Sequence, residues 1–296
     1  MNYQQQRIFP YKHAYNLALI TPGKGNTGFS CLITNAIPDL NIMNAGSQCF
    51  PLYWFDKSKA TEKTGVLFDT AGVDEHGYIR RDAITDVGLS VFQDAYPNAD
   101  IAKEDIFFYT YGLLHSPEYR KRFASNLMKE LPRIPLAKDF KAFEQAGRAL
   151  AHLHLDYETI EPWELAEVGD SENPGRTEKM SWGKTRDKES GKSVSDYTVL
   201  TVAENLTLKG IPERAQDYVV NGKSALGWLV DRYKVTMDRK SGIVNNPNDY
   251  SDEPRYIVDL VKRVVRVSME TLDIIESLPP LDELPQPANW PMEWRA

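Results

Sequence analysis

The stretch SGIVNNPNDY, residues 241–250, holds Asn246-Pro247 followed by an aromatic, Tyr250. Enzymes that methylate exocyclic amines of DNA bases carry an Asn-Pro-Pro-Tyr-like motif. There the Asn side chain and a proline carbonyl accept from the target amine, and the aromatic stacks on the extruded base. In this chain Asn248 stands where the second proline would be, and Tyr250 lies two positions further on. No glycine-rich site for a methyl donor is evident upstream. The segment is dense in turn formers, which predicts a turn that sets the next helix rather than a methylation loop.

Other spacings carry chemistry less well. GKGNTG (23–28) matches G-x-G-x-x-G, but the residues after it, FSCLITN, favour a strand where a dinucleotide site needs a helix. A flexible hairpin loop is expected there, in which Lys24, Asn26 and Thr27 can approach phosphates. His152, His154 and Asp156 alternate like metal ligands on a strand, yet they end a helical pattern, where side chains at i and i+2 diverge. Glu213, Asp238 and Lys240 match the acid, then acid-x-Lys, of Mg²⁺-dependent nucleases. No Ser or Cys has a nucleophile context, and no Walker A motif occurs. Cys31 and Cys49 make neither a disulfide framework nor a zinc pattern.

Basic residues with interleaved aromatics point to a polyanion. The candidates are Lys24 and Asn26 in the glycine loop, Arg80-Arg81, Arg120-Lys121-Arg122, and an excursion carrying Arg176, Lys179, Trp182, Lys184 and Arg186. Arg and Lys serve phosphates and guanine edges, Asn and Gln serve adenine, and an aromatic can stack or wedge. The net charge of −7 is not that of a DNA-coating protein, but it is uneven. Residues 117–148 hold eight Lys/Arg against four Asp/Glu, and residues 1–63 hold six against three. Residues 64–105 hold three against nine, and residues 268–296 hold one against six.

The elements that must position these residues follow from period and punctuation. NLALIT (16–21), FSCLITN (29–35) and QCFPLYWF (48–55) read as strands, and residues 56–80 as a long loop or ragged strands. Helices are predicted from Asp82 to Ala95, over AKEDIFFYTYGLLH, from a Ser116 cap to Leu131, and over KDFKAFEQAGRALAHLHL. The polar excursion at 170–195 lies among strands near EKMSW, YTVLTV and LTLKGI. SALGWLVDRY and PRYIVDLVKRVVRVSMETLDIIESL close the fold as helices, before an extended Pro-rich tail. The fold class is α+β: a strand-rich N-terminal part (1–80), a helical centre (81–160), and a mixed part (161–296) with a small β excursion near 179–210 and a long C-terminal helix. All of it is expected to form a single region, 1–296.

Several long phrases, in consistent order, carry a resemblance. They are FSCLITNAIPDL, GSQCFPLYWFD, DIFFYTYGLLHSPEYRKRFASNLMKELPRIPL, FEQAGRALAHLHLDYE, GIPERAQDYVVNGKSALGWLVDRY and SGIVNNPNDY with PRYIVDLVKRVV. Together they resemble the C-terminal specificity region of Type ISP restriction–modification enzymes and related helicase–methyltransferase polypeptides, over most of residues 15–278. The resemblance implies a target-recognition module for double-stranded DNA. It would be non-catalytic alone, need no cofactor or metal, and work with methyltransferase and helicase domains of the same or a partner polypeptide. Base-reading residues vary with target sequence in that family and do not transfer by position; the loops 23–28 and 57–81 and the excursion 176–192 are the expected readers. Two other readings stay open: a domain that docks a methyltransferase or helicase, and a small Mg²⁺-dependent nuclease. With no membrane-length apolar run and no signal peptide, a cytoplasmic location is expected.

Overall fold

The computed structural model describes residues 5–26, 28–43, 46–58 and 72–285. The chain divides into two compact units, Met1–Leu155 with Ile275–Ala296, and Asp156–Ile274. Helices and antiparallel sheets are segregated along the chain, an α+β architecture.

The first unit opens with a short helix, α1 (Gln5–Ile8), and a three-stranded sheet. Strand β1 (Ala18–Pro22) is buried along its whole length between β2 (Leu32–Thr34) and β3 (Ser47–Pro51). QCFPLYWF is not one strand. The chain leaves the first sheet after Pro51, and β4 (Tyr53–Lys57) instead pairs with β5 (Tyr78–Asp82) as a separate hairpin. FSCLITN is likewise a strand only over Leu32–Thr34. Much of the 57–81 loop lies outside the described residues.

Helix α2 (Asp86–Ala95) starts four residues later than Asp82, because Thr85 is its N-cap and takes the Gly88 amide on its hydroxyl. Asp82 instead ends β5 and meets Lys103 at 2.9 Å. Helix α3 (Lys103–His115) follows, and Ser116 caps α4 (Pro117–Arg122) through the Tyr119 amide, as Ser-Pro predicts. The helix does not run on to Leu131. It breaks at Phe123 and resumes as the single turn α5 (Ala124–Leu127).

Helix α6 (Phe140–Leu155) lays Phe143, Gly147 and Leu150 against α3. The two helices cross backbone to backbone. A Cβ on Gly112 would fall on the Phe143 carbonyl, and one on Gly147 would fall on the Phe108 carbonyl. Beside the crossing, the Glu144 carboxylate is 1% exposed and is held by Lys141 and Arg148. Arg148 also reaches Glu104 (3.0 Å) and Asp105 (2.7 Å) and covers the Phe108 ring, so one guanidinium ties α6 to the start of α3.

The second unit is built on a four-stranded antiparallel sheet in the order β6-β9-β8-β7, with β6 (Ala166–Gly169), β7 (Ser181–Arg186), β8 (Ser193–Ala203) and β9 (Leu206–Lys209). A 3₁₀ turn (Glu213–Gln216) leads into the small hairpin β10 (Val219–Val220) and β11 (Lys223–Ser224), then α7 (Ala225–Arg232). A second hairpin, β12 (Thr236–Met237) and β13 (Val244–Asn245), precedes α8 (Tyr256–Glu276). Leu200, Leu206 and Leu208 from the sheet, Leu226 from α7, and Val258, Val261 and Val265 from α8 form one core. Arg255 locks the sheet edge to α8 by a two-pronged pair with Glu167 (2.9 and 3.1 Å) and a further bond to Asp259. Arg255 and Lys262 together hold the Glu167 carboxyl down to about 2. Among the described residues no helix is long and apolar enough to cross a membrane.

Candidate nucleic-acid interface

In the second unit the basic excursion is a projecting ribbon. From Trp182 to Ser181, β7 pairs with the inner half of β8, which is itself backed by β9. The register shifts after Trp182, and Gly183–Arg186 pair only with Ser193–Asp196, beyond the reach of β9. The shift needs a residue without a side chain, since a Cβ on Gly183 would lie 2.9 Å from the Val199 Cβ. Asp196 fixes the bulged strand by accepting from the Thr198 amide and hydroxyl.

The ribbon's tip is equally well built. The Asp187 carboxylate takes the Ser190 amide and hydroxyl, and Gly191 turns the chain at φ +65°. Lys184, Arg186, Lys188 and Lys192 are exposed, and none makes an ion pair among the described residues. Lys184 reaches across to the Ser195 hydroxyl at 3.2 Å. Lys184 and Arg186 alternate in step with Ser195 and Ser193, so a donor-rich face runs along the ribbon. Trp182 sits at the root, partly covered, edge-on to Tyr197. A strip of this width, with flexible cations and hydroxyls on one face, fits a major groove, which admits a two-stranded β-ribbon.

The other candidates of this unit lie before the ribbon. Arg176 is exposed but paired with Glu178 at 3.2 Å. Lys179 is exposed, and its backbone bridges to Lys234. The Asn-Pro loop braces this segment. Asn248 accepts from the Thr177 amide (2.9 Å) and donates to the Thr177 carbonyl (3.1 Å), while Asn246 accepts from the Asn248 amide and Pro247 is buried. The loop turns the chain, as its composition predicts, and beyond that expectation it also holds Thr177.

In the first unit the structure separates residues that look alike in sequence. The glycine loop is pinned to α5: the Gly25 amide donates to Met128, and Asn26 donates to Gly23 (3.0 Å) and Leu127 (2.9 Å). Asn26 is thus turned inward, 5% exposed, and holds the loop rather than facing a base. Lys24 projects outward near Glu130, whose carboxyl is held below its ordinary range by Asn126 and Arg133 and, more weakly, by Lys24. In the basic triplet, Arg120 turns in to the Leu114 carbonyl (2.7 Å) and over Phe29, and Arg122 is engaged by Glu118 and Glu283. Lys121 is exposed without an ion pair among the described residues. On the β4–β5 hairpin, Arg80 stacks on Tyr53 at 4.4 Å, and Arg81 pairs with Asp56 at 2.7 Å.

The metal-like spacings are not gathered into a ligand set. Among the described residues no three His, Cys, Asp or Glu side chains come together to hold an ion. His154 shares a hydrogen bond with the Tyr111 hydroxyl at 2.6 Å, and Asp238 caps the backbone of its own turn at Lys240 and Ser241. The sequence reading missed Ser193 and Ser195, whose place opposite the two cations depends on a register that only the bulge sets.

The family model of the Type ISP C-terminal specificity domain matches residues 1–260. The chain belongs to this family. Among solved structures it is similar to the ATP-dependent Type ISP restriction-modification enzyme LlaBIII bound to DNA, at 34% identity and a TM-score of 0.79, covering 96% of this chain and 17% of that one. A nuclease-deletion mutant of the Type ISP enzyme LlaGI, in complex with a DNA substrate mimic, aligns at 32% identity and a TM-score of 0.73 over 95% of this chain and 23% of that one. The DrdV–DNA complex aligns at 30% identity and a TM-score of 0.76 over 95% of this chain and 26% of that one. The chain therefore spans about a sixth to a quarter of the length of these proteins. No curated protein matches.

Proposed function

We propose that this chain is the target-recognition module of a restriction–modification or helicase-linked methyltransferase system. It reads base sequence in duplex DNA and leaves methylation, ATP hydrolysis and cleavage to other domains of the same or a partner polypeptide. The observation that carries this reading is the β7–β8 ribbon: an exposed set of Lys184, Arg186, Lys188 and Lys192, without an ion pair among the described residues, on a fold shared with enzymes seen on DNA. Lys121 and Lys24 of the first unit fit a supporting role toward phosphates. The acidic average, −7, implies modest affinity for the chain alone.

The test is selection from a randomised duplex pool, followed by titrations at several salt concentrations. A selected sequence preference with a log–log salt slope is the expected result. Arg186→Ala then costs about 1–3 kcal/mol on the selected site and relaxes preference at one position, whereas Lys121→Ala weakens all duplexes alike and flattens the slope by about one. Binding without any preference, or no binding even at low salt, would refute the reading.

A further inference from the structure

All four strand residues of hairpin β12–β13 are exposed among the described residues. Met237 and Val244 are direct cross-strand partners, so they share one face, and they are 64% and 56% exposed. Ile243, which follows on the other face at the tip, is 69% exposed. A two-stranded hairpin this short is marginal in water on its own, yet this one is tightly constructed. The Asp238 carboxylate takes the Lys240 and Ser241 amides and the Ser241 hydroxyl, the Asp238 amide donates to the Ile243 carbonyl, and Gly242 closes the turn at φ +71°. At the root, the Tyr250 hydroxyl donates to Asn245. The fold thus holds three apolar side chains out in solvent on a braced finger.

Charge and position indicate what they meet. Arg239 and Lys240 crown the turn, exposed and without an ion pair among the described residues, while the one acid there, Asp238, is engaged by its own backbone. The finger also grows from the same base as the ribbon. Lys179 bridges to Lys234, and the Val235 amide donates to the Glu178 carbonyl, so the segments that enter β7 and β12 are hydrogen-bonded neighbours. The clamp of Asn248 on Thr177 fixes that base from the far end of the hairpin. Apolar tips flanked by cations are the chemistry by which proteins press a wedge against or between base steps while gripping the adjacent phosphates.

We propose that the β12–β13 hairpin is a second DNA-contacting element, with Arg239 and Lys240 on phosphates and Ile243, exposed at the tip, as an apolar wedge that distorts the duplex. This rests on the DNA-reading role proposed above. It adds a deformation of the site that base contacts from the ribbon do not require.

The experiment uses the full chain and its selected duplex, labelled at both ends for energy transfer and carrying 2-aminopurine at successive positions. All the residues to be changed are exposed, and circular dichroism and thermal melting confirm that each variant is folded. Arg239→Ala with Lys240→Ala is expected to lower the salt slope by about two, as two lost phosphate contacts require. Ile243→Ser is expected to abolish the 2-aminopurine rise and the end-to-end shortening, with the salt slope kept. Variants that bind with parental slope and parental distortion, while Lys184→Ala and Arg186→Ala weaken binding, would overturn the wedge and leave the ribbon reading intact. An Ile243→Ser variant unchanged on DNA but unable to co-purify with a methyltransferase or helicase polypeptide that retains the parent chain would make the finger a protein contact, and would also overturn it. Failure of the parent chain to bind any duplex would overturn both.

Discussion

Asn248 meets a single residue with both ends of its amide, taking the N–H and giving to the C=O of Thr177. Thr177 is 2% exposed, so water cannot replace those bonds without rearrangement. Asn248→Ala is accordingly expected to lower stability by about 1–3 kcal/mol, read as a shift in the denaturant midpoint at unchanged slope. The same variant should loosen residues 173–177, visible as faster amide exchange there with little change in α6. An unchanged midpoint would mean that the loop closes without its clamp. At this scale the sequence discloses residue types but not their direction. Arg120, Lys121 and Arg122 are adjacent cations on one helical turn, yet the first is engaged inward, the last is held by two carboxylates, and only the middle one is offered outward. Asn26 shows the same limit, because its partners are carbonyls 3 and 101 residues away. Nothing in the six-residue glycine motif announces the second of these.

At the scale of elements, what was legible is what local physics decides. The apolar stripe of α6, the Ser116-Pro117 start of α4 and the long α8 ending at its proline pair all follow from period and capping. What was not legible depends on partners distant in the chain. Pro51 and Leu52 divide one apolar run between two sheets, and Thr85 wins the cap from Asp82 because β5 keeps the latter. The crossing of α3 and α6 was also hidden, since a glycine inside a helix reads only as weak propensity. Here Gly112 and Gly147 are what let the two backbones touch. Gly147→Ala should therefore destabilise the first unit by about 3 kcal/mol or more, the upper end for overpacking, because the Phe108 carbonyl it meets is backbone and cannot swing aside. Gly28→Ala, with open space around it, is the control, expected to change the midpoint by no more than about 0.5 kcal/mol. Equal effects at the two positions would remove the close crossing as the reason for Gly147.

For the molecule as a whole, acid acts on the two units through different groups. In the first unit, burial and, secondarily, the charge of Arg120 hold His115 well below its ordinary value and His154 down to about 3. His115 is 2% exposed, and that burial outweighs the opposing hydrogen bond from its Nδ1 to the Tyr111 carbonyl and keeps it neutral in the fold. Both histidines regain a value near 6.5 when unfolded, and the unfolded chain then binds more protons than the native one. The contribution of each is present above about pH 6.5 and falls by up to about 1.4 kcal/mol per pH unit as the pH drops toward the native value. In the second unit the sensitive group is Glu167, which hydrogen bonds from Arg255 and then Lys262 hold at about 2 against an ordinary 4.5. Its stabilisation is complete above that ordinary value and is lost as the pH falls from 4.5 toward 2. Denaturant midpoints between pH 7 and 5 should therefore decline chiefly for probes in α3 and α6, with β6 and the start of α8 yielding only at lower pH. Replacing His115 and His154 together by Gln should flatten the upper part of that decline while leaving the lower part in place. Arg255→Met should do the reverse, weakening the dependence on Glu167, which Lys262 still holds at 2.9 Å, and leaving the histidine slope unchanged. A double histidine variant that retained the parental pH slope above pH 5 would mean that the acid sensitivity of the first unit comes from other groups.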